Sequence, residues 1–142
     1  MHSRFIASWV GAISTWAFLM NCSGVNIGTG GGGTPNDVRP TNLPMVQGFF
    51  TGQNGKTVTG TAIIFSASSS SYVLRLEGIS TPSEGGLEVQ LYTSDGQSNF
   101  SLRAWSGSQN YTFSGNNPNV VFSSVSIYSK SNNRSYGSAL LK

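Results

Sequence analysis

Residues 72–77 read YVLRLE, in which Tyr72, Leu74 and Leu76 occupy alternate positions and the charged Arg75 and Glu77 lie between and after the leucines. Successive side chains of a β-strand point to opposite faces of a sheet, so this pattern predicts a strand with one buried and one solvated face. The tyrosine and both leucines are expected to point inward, and Arg75 and Glu77 outward. We expect Arg75 and Glu77, two positions apart on the outer face, to form a surface ion pair.

Similar runs surround this stretch. Residues 57–65 (TVTGTAIIF) are rich in β-branched side chains and follow Asn54-Gly55, a pair typical of tight hairpins. Residues 87–91 (LEVQL) alternate again before the turn sequence SDGQ at 94–97. No stretch of residues 45–142 has apolar side chains at helical spacing. The sequence therefore predicts an all-β domain over 45–142, an antiparallel β-sandwich of about 8–10 short strands.

The N-terminus predicts export. Met1 and Arg4 supply positive charge, and residues 5–20 (FIASWVGAISTWAFLM) are almost entirely apolar. A helix over residues 5–20 would be about 24 Å long at 1.5 Å per residue, shorter than a hydrocarbon core of about 30 Å. This pattern is typical of a signal peptide, here residues 1–21, and a single transmembrane anchor is the alternative.

Residues 19–22 (LMNC) resemble the lipobox of bacterial lipoproteins, in which a cysteine is lipidated and becomes the first mature residue. Asn21 departs from the small residue usual before that cysteine. Cys22 is the only cysteine, so it cannot form an internal disulfide. The resemblance implies acylation of Cys22, including palmitate, and a membrane anchor in the cell envelope. Ser23 is not the Asp typical of inner-membrane retention, which favours the outer membrane; a free thiol behind an uncleaved signal is the alternative.

Residues 22–44 are predicted to form a disordered linker after the lipidated cysteine. They contain the run Gly30–Gly33, with Pro35 and Pro40 beyond it, and no hydrophobic period. Glycine loses the most backbone entropy on ordering, and this stretch has little apolar surface to offset that loss. A phosphate-binding loop is disfavoured because no Lys-Ser/Thr follows the glycines.

The composition limits the chemistry of the mature chain. Charged residues make up 9% of the chain, the net charge is +3, and no basic run is present, so we expect no nucleic-acid partner. The only histidine, His2, lies in the predicted signal, and Cys22 is predicted to be acylated. Without imidazole or thiol, nucleophilic triads and His- or Cys-based metal sites are excluded. We therefore expect no enzyme activity, no catalytic residues, no metal site and no cofactor.

Two further features of the sequence are candidates for a site. Glu84 and Glu88 flank Gly85-Gly86-Leu87 and could converge as a hydrolase pair or bind calcium; the alternative is that both are solvated charges. Trp105 and Tyr111 are the aromatic side chains expected at a binding face, whereas most other aromatics would fill the core.

The segment from Gly48 to Leu141 resembles the DM13 domain, a small all-β module associated with electron transfer. The resemblance is carried, in order, by residues 48–49 (GF), 60–64 (GTAII), 72–77 (YVLRLE), 107–112 (GSQNYT) and 136–139 (YGSA). It implies the same all-β fold for residues 45–142.

The DM13 family has a cysteine after an aromatic residue on the penultimate strand, proposed as a redox thiol or prosthetic-group ligand. Aligned on residues 127–130 (IYSK), that cysteine falls on Ser129. A hydroxyl neither cycles as a thiol does nor offers a soft thiolate to a metal. We therefore expect an anchored module that binds an unidentified protein or small ligand, the alternative being an accessory of a redox system.

Overall fold

The computed structural model describes residues 35–142. The predicted signal peptide, Cys22 and the linker up to residue 34 lie outside the described residues. The described part is all-β, as predicted. Its eight strands are β1 (Pro44–Gly52), β2 (Thr59–Ser68), β3 (Ser71–Ser80), β4 (Leu87–Thr93), β5 (Gly96–Ser101), β6 (Ser106–Ser114), β7 (Phe122–Ser129) and β8 (Arg134–Leu140).

The strands form one antiparallel sheet in the order β5-β4-β7-β8-β1-β2-β3-β6. β1 lies between the two halves of the sheet. Its first part pairs with β2, with Gln47 opposite Ile63, and its last part pairs with β8, with Phe50 opposite Ala139. β1 thus joins the half made of β2, β3 and β6 to the half made of β4, β5, β7 and β8.

The inner faces of the two halves enclose one hydrophobic core. The residues predicted to point inward from β3, Tyr72, Leu74 and Leu76, are buried in it. Tyr72 meets Phe122 of the other half edge-on, with ring centroids 5.2 Å apart. The predicted antiparallel β-sandwich is therefore confirmed.

Aromatic side chains also close the side of the sandwich where the outermost strands β5 and β6 face each other. The ring of Phe100 on β5 lies 5.2 Å from that of Tyr111 and 6.0 Å from that of Phe113, both on β6. The two terminal strands of the sheet are thus joined by side-chain packing.

Residues 35–43, which we call the strap, cross the outer face of β6, β3 and β2. Asn36 forms a parallel bridge with Ser108 of β6. The Arg39 guanidinium lies 5.6 Å from the centroid of the Phe65 ring, and the Asn42 side-chain amide donates to the carbonyl of Ser66. The ordered domain therefore begins before Met45, and the boundary expected there is corrected.

The strap changes the environment of the outer face. Ile63 and Phe65 alternate with the core residues Ala62 and Ile64, yet they are only 1% exposed. Arg75, expected at the surface, is 5% exposed because the strap covers it. Its predicted partner is correct, but its predicted exposure is wrong.

Replacing Gly48 with alanine should destabilise the fold. A Cβ at this position would lie 1.9 Å from the backbone carbonyl oxygen of Leu140, so β1 or β8 would have to shift. We expect Gly48→Ala to lower the free energy of unfolding by about 1–3 kcal/mol in urea titrations. Gly85→Ala is the matched control, since a Cβ there meets nothing within 4 Å; equal stability of the two variants would contradict the prediction.

Candidate functional site

Ser129, the position of the family cysteine, lies at the end of β7 and is fully buried. Its Oγ accepts a hydrogen bond from the backbone N–H of Asn132 at 3.2 Å and lies 3.3 Å from Oγ of Ser131. The hydroxyl therefore closes the turn between β7 and β8, which is a structural role compatible with serine.

Beside this turn lies a polar group that we call the Glu84 cluster: Lys56, Glu84, Ser129, Asn132 and Tyr136. Oε1 of Glu84 accepts from the Tyr136 hydroxyl at 3.0 Å and from the Asn132 amide at 3.4 Å. Nζ of Lys56 lies 4.0 Å from the other oxygen, Oε2, and 4.9 Å from the centroid of the Tyr136 ring. Oε2 is buried without a hydrogen-bond partner among the described residues.

This arrangement holds one carboxylate at the end of the sandwich between a phenol, an amide and an ammonium group. These groups can hydrogen-bond and balance charge, and none of them carries sulfur or imidazole. Sequence reasoning singled out Ser129 and Glu84 but missed Lys56, Asn132 and Tyr136. These three come from the β1–β2 turn, the β7–β8 turn and β8, and no sequence motif links them.

Glu84 and Glu88 do not form the pair that a hydrolase would need. Glu88 alternates with the core residues Leu87 and Val89, so it lies on the outer face of β4. There it accepts from the Gln90 amide at 3.1 Å, and Nζ of Lys130 lies 3.8 Å away. Nor do residues 35–142 contain a group of three or more His, Cys, Asp or Glu side chains placed to hold a metal.

The two candidate aromatics lie in different environments. Trp105 is 47% exposed, and its indole N–H donates to the backbone carbonyl of Glu84 at 2.7 Å. Tyr111 is buried in the core, and its hydroxyl donates to Gln109 at 2.7 Å and accepts from the backbone N–H of Arg103 at 3.2 Å. Burial raises the pKa of Tyr111 to about 12. Its expected place at a binding face is therefore wrong.

A second polar group fastens the strap. The Asp37 carboxylate accepts from Nη1 and Nη2 of Arg103 at 2.6 and 3.2 Å and from the backbone N–H of Asn110 at 2.8 Å. Nη1 of Arg75 donates to the Asp37 carbonyl at 2.8 Å. The hydrogen bond from Arg103 is the main reason that the pKa of Asp37 lies below its usual value.

Glu77 extends this group along β3. Its carboxylate accepts from Nε of Arg75 at 2.8 Å and from Nη1 of Arg39 at 2.6 and 2.8 Å. The hydrogen bond from Arg75, followed by that from Arg39, lowers the pKa of Glu77. Three arginines and two carboxylates thus hold the strap to the outer face.

The third feature is an open groove on the outer face of β1 and β8, which we call the β1–β8 groove. It has a volume of about 630 Å³. Phe49 and Leu140 line it with 74% and 68% of their surface exposed. The lining residues are Gln47, Gly48, Phe49, Thr51, Ser138, Leu140 and Lys142.

Comparisons with protein-family models, with curated proteins and with solved structures find no match to this chain. Within residues 35–142, no helix has the length and apolar character needed to span a bilayer. The resemblance to the DM13 family and the lipoprotein assignment therefore stay predictions from the sequence.

The strap contacts should make stability depend on acid pH. Because the pKa values of Asp37 and Glu77 are lowered in the folded state, the unfolded chain binds more protons in the acid range. Their stabilisation is complete above the ordinary carboxyl pKa of about 4, and it is lost as the pH falls through the folded pKa values.

Asp37→Asn should therefore lower the free energy of unfolding by about 2 kcal/mol at neutral pH. Acidification should then lower the free energy of unfolding of Asp37→Asn by less than it lowers that of the wild type. Urea titrations at pH 7, 5 and 3 measure both quantities. Asp95→Asn is the control, because Asp95 is exposed and its carboxylate meets only the Asn117 amide, at 3.0 Å. A wild-type acid response retained in Asp37→Asn would argue against the strap contacts as its source.

Proposed function

We propose that this protein is a lipid-anchored protein of the bacterial cell envelope whose β-sandwich binds a partner and catalyses no reaction. The signal-like residues 1–21, the LMNC sequence ending at Cys22 and the glycine-rich linker support the anchor. A triacylated cysteine holds a protein to a bilayer more firmly than one acyl chain does. The outer membrane is the favoured location because Ser23 follows the cysteine.

The exposure of Phe49 and Leu140 in the β1–β8 groove carries the binding proposal. Large apolar side chains that share an exposed concave surface mark interaction sites more often than single exposed residues do. The hydroxyl and amide groups of Gln47, Thr51 and Ser138 stand around them. Such a surface suits an apolar group on a protein or small ligand, with hydrogen bonds at its margin.

The other polar groups support a non-catalytic role. Asp37 and Glu77 are engaged by arginines, and Glu88 lies on the outside of the sheet. The side chains in contact with the Glu84 carboxylate are those of Lys56, Asn132 and Tyr136, none of which is a carboxylate. In each case the carboxylate stabilises the fold or the strap.

The alternative is a redox accessory, which rests on the DM13 resemblance at Ser129. The hydroxyl at this position closes a turn and offers no thiolate. Visible absorbance or a stoichiometric metal in the purified chain would favour this alternative over the binding proposal, and a colourless, metal-free protein would count against it.

The anchor is tested by metabolic labelling with palmitate in the native host. The wild-type chain should incorporate label and fractionate with the outer membrane. Cys22→Ala should lose the label because no other cysteine can take its place. The matched control is Ser23→Ala, which should keep it. Label retained in Cys22→Ala would contradict the anchor.

The groove is tested by placing a photo-crosslinking phenylalanine analogue at Phe49 in cells. A binding partner should give a discrete adduct from this position after irradiation. The control carries the same analogue at Val121, which is 62% exposed and does not line the groove. The Leu140→Ser change should weaken the Phe49 adduct. Equal adducts from Phe49 and Val121, or none from either, would contradict the groove as the binding surface.

A further inference from the structure

The first part of the strap, residues 35–39, contacts the domain as a bound peptide contacts a receptor. The Ser108 N–H donates to the carbonyl of Pro35, and the Asp37 N–H donates to the carbonyl of Ser108, both at 2.9 Å. β6 is the last strand of the sheet, so these bonds add a short parallel strand to its free edge. Peptides bound by strand addition use the same backbone contacts.

The domain forms hydrogen bonds with both the backbone of the strap and one of its side chains. Nδ2 of Asn110 donates to the carbonyl of Val38 at 2.9 Å, and Arg75 donates to the carbonyl of Asp37. The Asp37 carboxylate is held by the two terminal nitrogens of Arg103 and by a backbone N–H. This geometry selects an extended segment with an acidic side chain at one position.

The charge of the receptor fits the same ligand. Without the strap, the site consists of Arg75, Arg103, Asn110 and Glu77, with a net charge of +1 from two arginines and one carboxylate. Nε of Arg103 is buried and has no acceptor among the described residues, so the site has a donor that Asp37 does not use. The arginines of the site thus favour an aspartate at the position of Asp37, while Glu77 accepts the guanidinium of an arginine at the position of Arg39.

Polar contacts, rather than burial of its own apolar side chains, hold the strap. Val38 and Leu43 are 85% and 87% exposed. Hydrogen bonds and ion pairs of this kind are largely replaced by water when they open. An empty site, in contrast, would uncover the ring of Phe65, which lies under the Arg39 guanidinium and is 1% exposed. Opening thus exchanges the polar contacts of the strap for water and uncovers apolar surface of the site, which favours a new occupant over a vacancy.

We propose that this outer face of β3 and β6 is a binding site for an extended segment with an aspartate and, two residues later, an arginine, occupied in cis by residues 35–39, and that the same residues of a second copy of the chain occupy it in exchange. Residues 35–39 of a second copy are identical to those of the first, so they can form the same contacts with the site. Pro40 and Pro44 disfavour helical backbone at the residues before them, and the chain bends at Thr41 and Asn42 before it enters β1.

The test for exchange uses disulfide trapping between two full-length chains, both with Cys22→Ser. One carries Asn36→Cys and the other Ser108→Cys, the two positions paired in the bridge. A disulfide between the different chains forms readily only where the strap of one occupies the other. We expect this heterodimer on non-reducing gels, with a yield that rises with concentration. The control replaces Ser108→Cys with Ser131→Cys, at an exposed position in the turn between β7 and β8.

A yield at least tenfold higher for Ser108→Cys than for Ser131→Cys supports exchange. Equal yields, or no heterodimer at millimolar protein, would overturn the second copy as the occupant.

A second measurement does not depend on the fold of the Ser108→Cys chain. In this measurement, a labelled peptide of residues 34–42 is the ligand and the full chain with Asp37→Asn is the receptor. The Asp37→Asn change weakens the receptor's own strap, and binding of the peptide is measured by fluorescence anisotropy.

We expect the Asp-containing peptide to bind at least tenfold more tightly than the same peptide with Asp37→Asn. Arg103→Gln in the receptor should remove this difference, whereas Arg134→Gln, at an exposed position, should preserve it. Equal affinity of the two peptides, or no binding of either, would overturn the site itself. Peptide binding without trapped heterodimer would leave the peptide site supported and refute exchange between copies. Neither experiment involves Cys22 acylation or Phe49, so its outcome is independent of the proposed function.

Discussion

The hydrogen bonding of β1 on both of its edges is the constraint on which the rest of the structure depends. Through β2 it reaches the half that ends at β6, and through β8 it reaches the half that ends at β5. The contact is close enough that Gly48 has no room for a side chain against β8. Both proposed binding surfaces follow from this position, because the groove lies on the outer face of β1 and the strap leads directly into it.

Features of the fold set by residues close together in the sequence could be predicted, whereas contacts between residues far apart in the sequence could not. The alternation in residues 72–77 predicted β3 and its inward face because neighbouring residues decide both. The burial of Arg75 was missed because it depends on the strap, 38 positions away along the chain. Alternation tells which face a side chain occupies but not what covers that face. The contacts between Asp37 and Arg103, 66 positions apart, follow no local pattern either.

The same limit explains the candidate sites. Ser129 came from the family resemblance and Glu84 from its glycine-rich surroundings, but the topology alone brings Lys56 and Tyr136 beside them. The sequence predicts Tyr111 at a binding face only because aromatic side chains are common there. In the structure it shares the inner face with the fully buried Gln109, a polar side chain that obscures the apolar pattern of β6.

The distribution of polar and apolar contacts separates what must remain fixed from what can exchange. Leu74 and Leu76 bind β3 to the core by apolar burial, which no partner can replace without unfolding the domain. On the opposite face of the same strand, Arg75 and Glu77 bind Asp37 and Arg39 of the strap by contacts that water or another chain can supply. One alternating sequence thus gives β3 a permanent inner face and an exchangeable outer face, so a partner can replace the strap while the sandwich stays folded.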